Sequence, residues 1–148
     1  MEAPIISGVN TFLLRATTQP APDIVALAAT APNDGIVRLA SAGAFAVATV
    51  NVGAPGLLTV SANTGAASLP VTITVCETNP QNGQCLVPPA PTAQTQINTS
   101  ATPTFSVFVS ATAAVPFNPA TNRIQVRFDG GGGGGGTSVA VCTAPLCP

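Results

Sequence analysis

Asn122-Arg-Ile-Gln-Val-Arg-Phe-Asp129 decides how this chain is read. Ile124, Val126 and Phe128 alternate with Arg123, Gln125 and Arg127. Successive side chains of an extended backbone point to opposite faces, so this period of two predicts a half-buried strand. Val71-Thr-Ile-Thr-Val-Cys76 repeats the pattern, with Val71, Ile73 and Val75 inward and two Thr outward. Thr104-Phe-Ser-Val-Phe-Val109 gathers Phe105, Val107 and Val109 on one side. Leu58, Val60 and Ala62 alternate with Thr59 and Ser61. Residues 44–52 read as a strand of small side chains, with Phe45, Val47 and Thr49 opposite Ala46, Ala48 and Val50.

Weaker strands are expected at 10–16, 24–29, 36–39, 93–99 and 137–142. The alanines of 24–31 also suit a helix, but Pro22 and Pro32 bracket the segment tightly and its neighbours are strands. Turn formers separate the strands: Pro32-Asn-Asp-Gly35, Gly53-Ala-Pro-Gly56, Asn63-Thr-Gly65, Asn79-Pro-Gln-Asn-Gly83 and Pro116-Phe-Asn-Pro119. About ten short strands with turns every 8–14 residues predict an all-β, antiparallel β-sandwich. Val87-Pro-Pro-Ala-Pro91 is expected to cross, extended, from one sheet edge to another. The seven glycines at 130–136 make a costly hairpin loop, since glycine loses the most backbone freedom on ordering. So uniform a run reads as a floppy linker, or as a stand-in for side chains of unassigned identity.

Chemistry is limited by what is missing. Four arginines and five acidic residues are the only charges in 148 residues, and Lys, His, Trp and Tyr are absent. Charged residues make up 6% of the chain, against about 25% in an ordinary soluble domain. A tight phosphate-backbone binder uses about 6–10 cationic contacts, so nucleic acid is not an expected partner. No run reaches the roughly 18 apolar residues of a membrane-crossing helix, and residues 40–60 are broken by Ser41, Thr49, Asn51, Gly53, Pro55 and Gly56. Met1-Glu2-Ala3-Pro4 is acidic where a signal peptide would be positive, so no such peptide is expected in this stretch.

Catalysis lacks its usual groups. A serine or cysteine nucleophile needs a base, and there is no His or Lys to supply one. Glu2, Asp23, Asp34, Glu77 and Asp129 form no local pair, while Asp34 and Asp129 each precede a glycine and suit turns. The chain is expected not to be an enzyme and to need no cofactor or metal. Asn98-Thr99-Ser100 is a sequon on a predicted polar strand, and exposed Thr and Ser could carry O-linked glycans.

Four cysteines without a histidine leave only an all-thiolate zinc site, and the C-x8-C and C-x4-C spacings are not those of a zinc ribbon. They allow three disulfide connectivities. The two local bridges, Cys76–Cys85 and Cys142–Cys147, are favoured over the others and over four free thiols in a reducing compartment.

Beyond these patterns, several stretches resemble a known module. They are Phe45-Ala-Val-Ala-Thr-Val-Asn-Val-Gly53, Leu69-Pro-Val-Thr-Ile-Thr-Val-Cys-Glu-Thr-Asn-Pro80, Gly83-Gln-Cys-Leu86, Ala101-Thr-Pro-Thr-Phe105, Pro116-Phe-Asn-Pro119 with Asn122-Arg-Ile124, and Thr137-Ser-Val-Ala-Val141. Together they resemble an immunoglobulin-like module of bacterial secreted and surface proteins, often present in tandem. The likeness covers roughly residues 43–143 and implies an immunoglobulin-like sandwich, export from the cell and no catalytic residues. Two departures are the glycine run, where a polar Arg-containing hairpin is expected, and Cys142, where another residue is expected.

The resulting expectation is an N-terminal extension, 1–42, followed by an immunoglobulin-like module, 43–148. Its function is expected to be that of a structural subunit, with copies of itself as partner, in an extracellular fibre, pilus-like filament or surface array. Ile5, Ile6, Phe12, Leu13 and Leu14 are expected to be donated as a strand to the next subunit's sheet. Arg123 and Arg127 share a strand face; they suit a solvated strand surface or, at the sharper reading, the same assembly contact, pairing with acids such as Glu2 or Asp23 of a neighbour. The runner-up is a monomeric adhesin or spacer module of a larger surface repeat protein. The missing Tyr and Trp argue against its carbohydrate-binding version, since these are the usual sugar-stacking platforms.

Overall fold

A computed structural model describes residues 18–148. Among them there is no helix, and nine strands carry the architecture: β1 (Ile24–Ala29), β2 (Ile36–Leu39), β3 (Ala42–Asn51), β4 (Gly56–Asn63), β5 (Val71–Thr78), β6 (Thr92–Ile97), β7 (Thr104–Ala111), β8 (Arg123–Asp129) and β9 (Gly134–Thr143). Every expected strand from residue 24 onward is present, with ends shifted by a few residues. The strand expected at 10–16 lies outside the described residues.

The strands form two sheets. One runs β1-β3-β7-β5 and is antiparallel throughout; the other runs β2-β9-β8-β4-β6, with β2 parallel to β9. Their inner faces share one core cluster, an arrangement compatible with a β-sandwich. Phe45 and Val47 of β3 and Phe105, Val107 and Val109 of β7 come from the first sheet. Leu58 and Val60 of β4 and Ile124, Val126 and Phe128 of β8 come from the second. Phe105 and Phe128 meet edge to face, with centroids 5.5 Å apart, and join the two inner surfaces. Period-two alternation thus selects the buried side on β3, β4, β7 and β8 as expected.

Within the segment expected as an extension, β1 joins the first sheet and β2 the second. Ile24, Val37 and Leu39 belong to the same core as the rest.

Residues 79–91 make the crossing expected of the proline-rich stretch, from edge strand β5 to edge strand β6. Ala90 exchanges two backbone hydrogen bonds with Val75, at 2.8 and 3.1 Å. Leu86 N–H donates to the Glu77 carbonyl, and Cys85 pairs with Thr78. The crossing therefore straps the outer edge of β5, which would otherwise expose a row of unpaired backbone groups.

The glycine run departs from the expected loop. Only Gly130–Gly133 turn, closed by Gly130 N–H donating to the Gly133 carbonyl, whereas Gly134, Gly135 and Gly136 begin β9. The reason is close backbone approach. A Cβ on Gly133, Gly134 or Gly135 would stand 2.0 Å from the carbonyl oxygen of Pro22, Phe128 or Ile24 respectively. Residue 134 also has φ +152, a conformation that side chains resist. Absence of side chains lets the start of β9 lie against residues 22–24, where Asp23 bridges Gly134.

Asn51, fully buried at the end of β3, ties three segments together. Its Oδ1 accepts from the Asp23 and Gly53 N–H groups, each at 3.0 Å, and its Nδ2 donates to the carbonyls of Ala54 at 2.9 Å and Asn98 at 3.2 Å.

Candidate assembly interface

The two sheets present outer faces of opposite character. On the four-stranded sheet, register fixes the outward positions in rows: Leu27 beside Ala48 beside Thr104, and Ala44 beside Phe108 beside Thr74. Val25 pairs with Val50 on the same side, and Ala46 pairs with Ser106. No outward position of this sheet carries a charge. Leu27 is 61% exposed and Val25 44%, although strand side chains of this size are usually covered in a core. The alanines of β3 keep the surface low.

The five-stranded sheet carries the charged side, with Leu57 of β4 as an exposed apolar side chain on it. Arg123, Gln125, Arg127 and Asp129 of β8 face outward, flanked by Ser61 and Thr59 of β4 and by Ser138 of β9. Gln94 and Gln96 extend the row on β6. Arg123 is engaged by its own chain: its guanidinium donates to Ser138 Oγ and carbonyl, both at 3.1 Å, and to the Pro119 carbonyl at 3.0 Å. Partial burial holds its pKa below the ordinary value. Arg127 donates to Gln125 Oε1 at 3.3 Å. Among the described residues, Asp34–Arg38 is the only ion pair, so neither arginine pairs with a described acid. Ile5, Ile6, Phe12, Leu13 and Leu14 lie outside the described residues.

Edge β2 is guarded by that pair, 2.7 Å between Arg38 Nη1 and Asp34 Oδ2. The hydrogen-bonded Arg38 guanidinium holds the Asp34 carboxyl below its ordinary value of 3.8, aided by the Ile36 N–H and opposed by desolvation. A depressed carboxyl contributes stability above its unfolded pKa and loses it as pH falls through the folded value. Carboxyl ¹³C titration by NMR is expected to place the Asp34 midpoint below 3.8 in the native chain and closer to it in Arg38→Gln. An unchanged midpoint in the variant would dismiss the ion pair as the cause.

Both local disulfides are formed, Cys76–Cys85 with Cα atoms 5.6 Å apart and Cys142–Cys147 with 5.4 Å, and no described cysteine is free. They are compatible with an oxidising environment. The first fastens the strap to β5. Replacing Cys76 and Cys85 together by Ala is expected to cost about 2.5–3 kcal/mol in the chain-entropy model. Urea unfolding of the double variant measures that loss, and faster amide exchange at Val75 and Ala90 would report the loosened edge.

Among the described residues no group of three or more His, Cys, Asp or Glu is placed to hold a metal. An open cavity of about 390 Å³ lies between residues 18–23, Gly53, Ala54 and the glycines 132–134, with Asp23 the sole charge among its described lining residues. The sequon sits in an exposed turn after β6 rather than on a strand. No described helix is long and apolar enough to cross a membrane.

Alanine at alternate positions of β3 was the visible sign of the uncharged face. What the pattern lacked was the pairing that sets β1, β7 and β5 beside it. The chain matches no protein-family model and no curated protein.

Proposed function

We propose that this chain is a non-catalytic structural subunit, an immunoglobulin-like β-sandwich that assembles with copies of itself outside the cell. One observation carries the reading: large apolar side chains stay exposed on a body almost devoid of charge. Val52, Leu57, Leu86 and Val87 join Val25 and Leu27 in being well exposed. Such a surface meets little electrostatic repulsion from another copy and leaves few charges to desolvate at a contact.

Strand order supports the immunoglobulin-like part. With β1, β3, β4, β5, β7, β8 and β9 lettered A to G in chain order, the sheets read A-B-E-D and C-F-G, the constant-type arrangement. The additions are β2 beside G and β6 beside C. Paired cysteines support export. The apolar segment containing Ile5, Ile6, Phe12, Leu13 and Leu14 serves in this reading as a strand given to a neighbour's sheet edge.

Sedimentation velocity of the oxidised full chain, with negative-stain electron microscopy of the same samples, tests the proposal. Concentration-dependent filaments, sheets or closed oligomers are expected. A 14.5 kDa monomer at every concentration would overturn it. Deleting residues 1–16 is expected to shorten or abolish the assemblies, and unchanged assembly would remove strand donation.

A further inference from the structure

We infer that the outer face of the four-stranded sheet is the surface through which two copies of this chain pack, sheet against sheet, about a two-fold axis. The inference rests on the self-assembly reading above and says which of the two faces makes the contact.

Charge is distributed unevenly between the faces. The described charged residues are Asp23, Asp34, Arg38, Glu77, Arg123, Arg127 and Asp129. Arg38, Arg123, Arg127 and Asp129 occupy outward positions of the five-stranded sheet, and none occupies an outward position of the four-stranded one. There the outward rows hold Val25, Leu27, Val50 and Phe108 among Ala, Ser and Thr, with Cys76 and its disulfide to the strap at the β5 margin. Interface cores are similarly depleted of charge and contain large apolar side chains.

Size reaches the small end of the range for a specific pair. Four strands about 4.8 Å apart and about eight residues long make a face of roughly 500 Å². Two such faces together bury roughly 1,000 Å², the lower bound for a specific protein contact. Alanine and serine on the central strands β3 and β7 keep the ground around Phe108 low, so two sheets can approach to the usual spacing of about 10 Å. Leu27 on one flank and Phe108 beside Ala44 then have shallow ground opposite them.

A second copy suits this face better than other occupants. An isologous contact sets the same patch against itself, so an uncharged patch is automatically matched to its partner. A charged protein would leave its own groups unpaired against it. A lipid surface is ordinarily gripped through cationic side chains and interfacial Trp or Tyr, and the face has neither.

The test uses the full oxidised chain in sedimentation velocity. Leu27→Glu with Ala46→Glu places like charges on both sides of the proposed contact, on side chains already exposed. The double variant is expected to weaken association more than about tenfold. Gln94→Glu with Gln96→Glu adds the same charge to the five-stranded face and is expected to leave association within about twofold. Circular dichroism and thermal unfolding check that each variant keeps the native fold. A photo-crosslinking residue at position 46 is expected to yield a covalent dimer joined through β1, β3 or β7 of the partner copy.

If the wild type associates and both double variants associate equally, this face is not the contact and the self-assembly reading survives. If the wild type is monomeric throughout, that reading fails and the present inference fails with it. Binding of phosphatidylcholine vesicles by a monomeric wild type, lost in Leu27→Glu with Ala46→Glu, would give the face to a lipid surface and overturn the second copy as occupant.

Discussion

Phe105→Ala is expected to lower the unfolding free energy by about 3–5 kcal/mol, the usual cost of emptying a buried aromatic site. That is a large share of the roughly 5–15 kcal/mol by which a domain is stable. The ring is fully buried on β7, and its edge-to-face neighbour Phe128 stands on β8 in the opposite sheet. Truncation therefore removes a contact between the sheets as well as volume within one. Alternation in Thr104-Phe-Ser-Val-Phe-Val109 offers an internal control. Phe108 on the same strand points outward, and Phe108→Ala is expected to change monomer stability by less than about 1 kcal/mol. Chemical denaturation of the two variants side by side measures both. Equal losses would mean that the inward and outward sides of β7 are wrongly assigned.

Asn51→Ala is expected to cost about 3–5 kcal/mol, although it removes only a few atoms. The amide serves two N–H donors and two carbonyl acceptors in one buried spot. Leaving a buried donor or acceptor unpaired costs about 1–3 kcal/mol. Asn51→Asp separates hydrogen bonding from size. One oxygen can still accept from Asp23 and Gly53, but the other would face the carbonyls of Ala54 and Asn98 and repel them when ionised. Burial and those carbonyls raise its pKa in the folded state. The variant is thus most stable below the ordinary aspartate value of about 3.9 and loses stability as pH rises above it. Urea midpoints for Asn51→Asp across pH 3–6 check that direction, opposite to the one expected from the depressed Asp34 carboxyl. A midpoint that rises with pH would remove the proposed role of Nδ2.

Why the core was legible and Asn51 was not follows from distance along the chain. Ile124, Val126 and Phe128 announce their buried side through neighbours two residues away, and that information is local. Asn51 depends on residues 23, 53, 54 and 98, which only the finished fold brings together. The same limit hid strand order. Residues 71–76 and 93–99 were readable as strands, yet nothing local says that the first pairs with β7 and the second with β4. The glycine run misled for another reason. Its composition suggested freedom, whereas Gly133, Gly134 and Gly135 sit where the backbones of residues 22, 24 and 128 leave no room for a side chain. Composition alone cannot distinguish glycine used for flexibility from glycine used for closeness. The uncharged outer face was half visible, since alanines alternate along β3, but its extent depended on which strands lie beside it.

Parallel pairing of β2 with β9 has a mechanical consequence. The described strands begin beside Gly134, where Asp23 bridges the start of β9, and the last of them ends at Thr143. The nine residue steps from Gly134 to Thr143 separate these poles by about 30 Å. Tension applied between the poles loads the β1–β3 ladder first and, once β1 yields, draws β2 and β9 in opposite senses along their common length. The Ile36–Leu39 ladder is then loaded in shear, so its bonds resist together instead of parting one by one as in a peeled hairpin. A domain strung in line by its two poles would bear load along its strands.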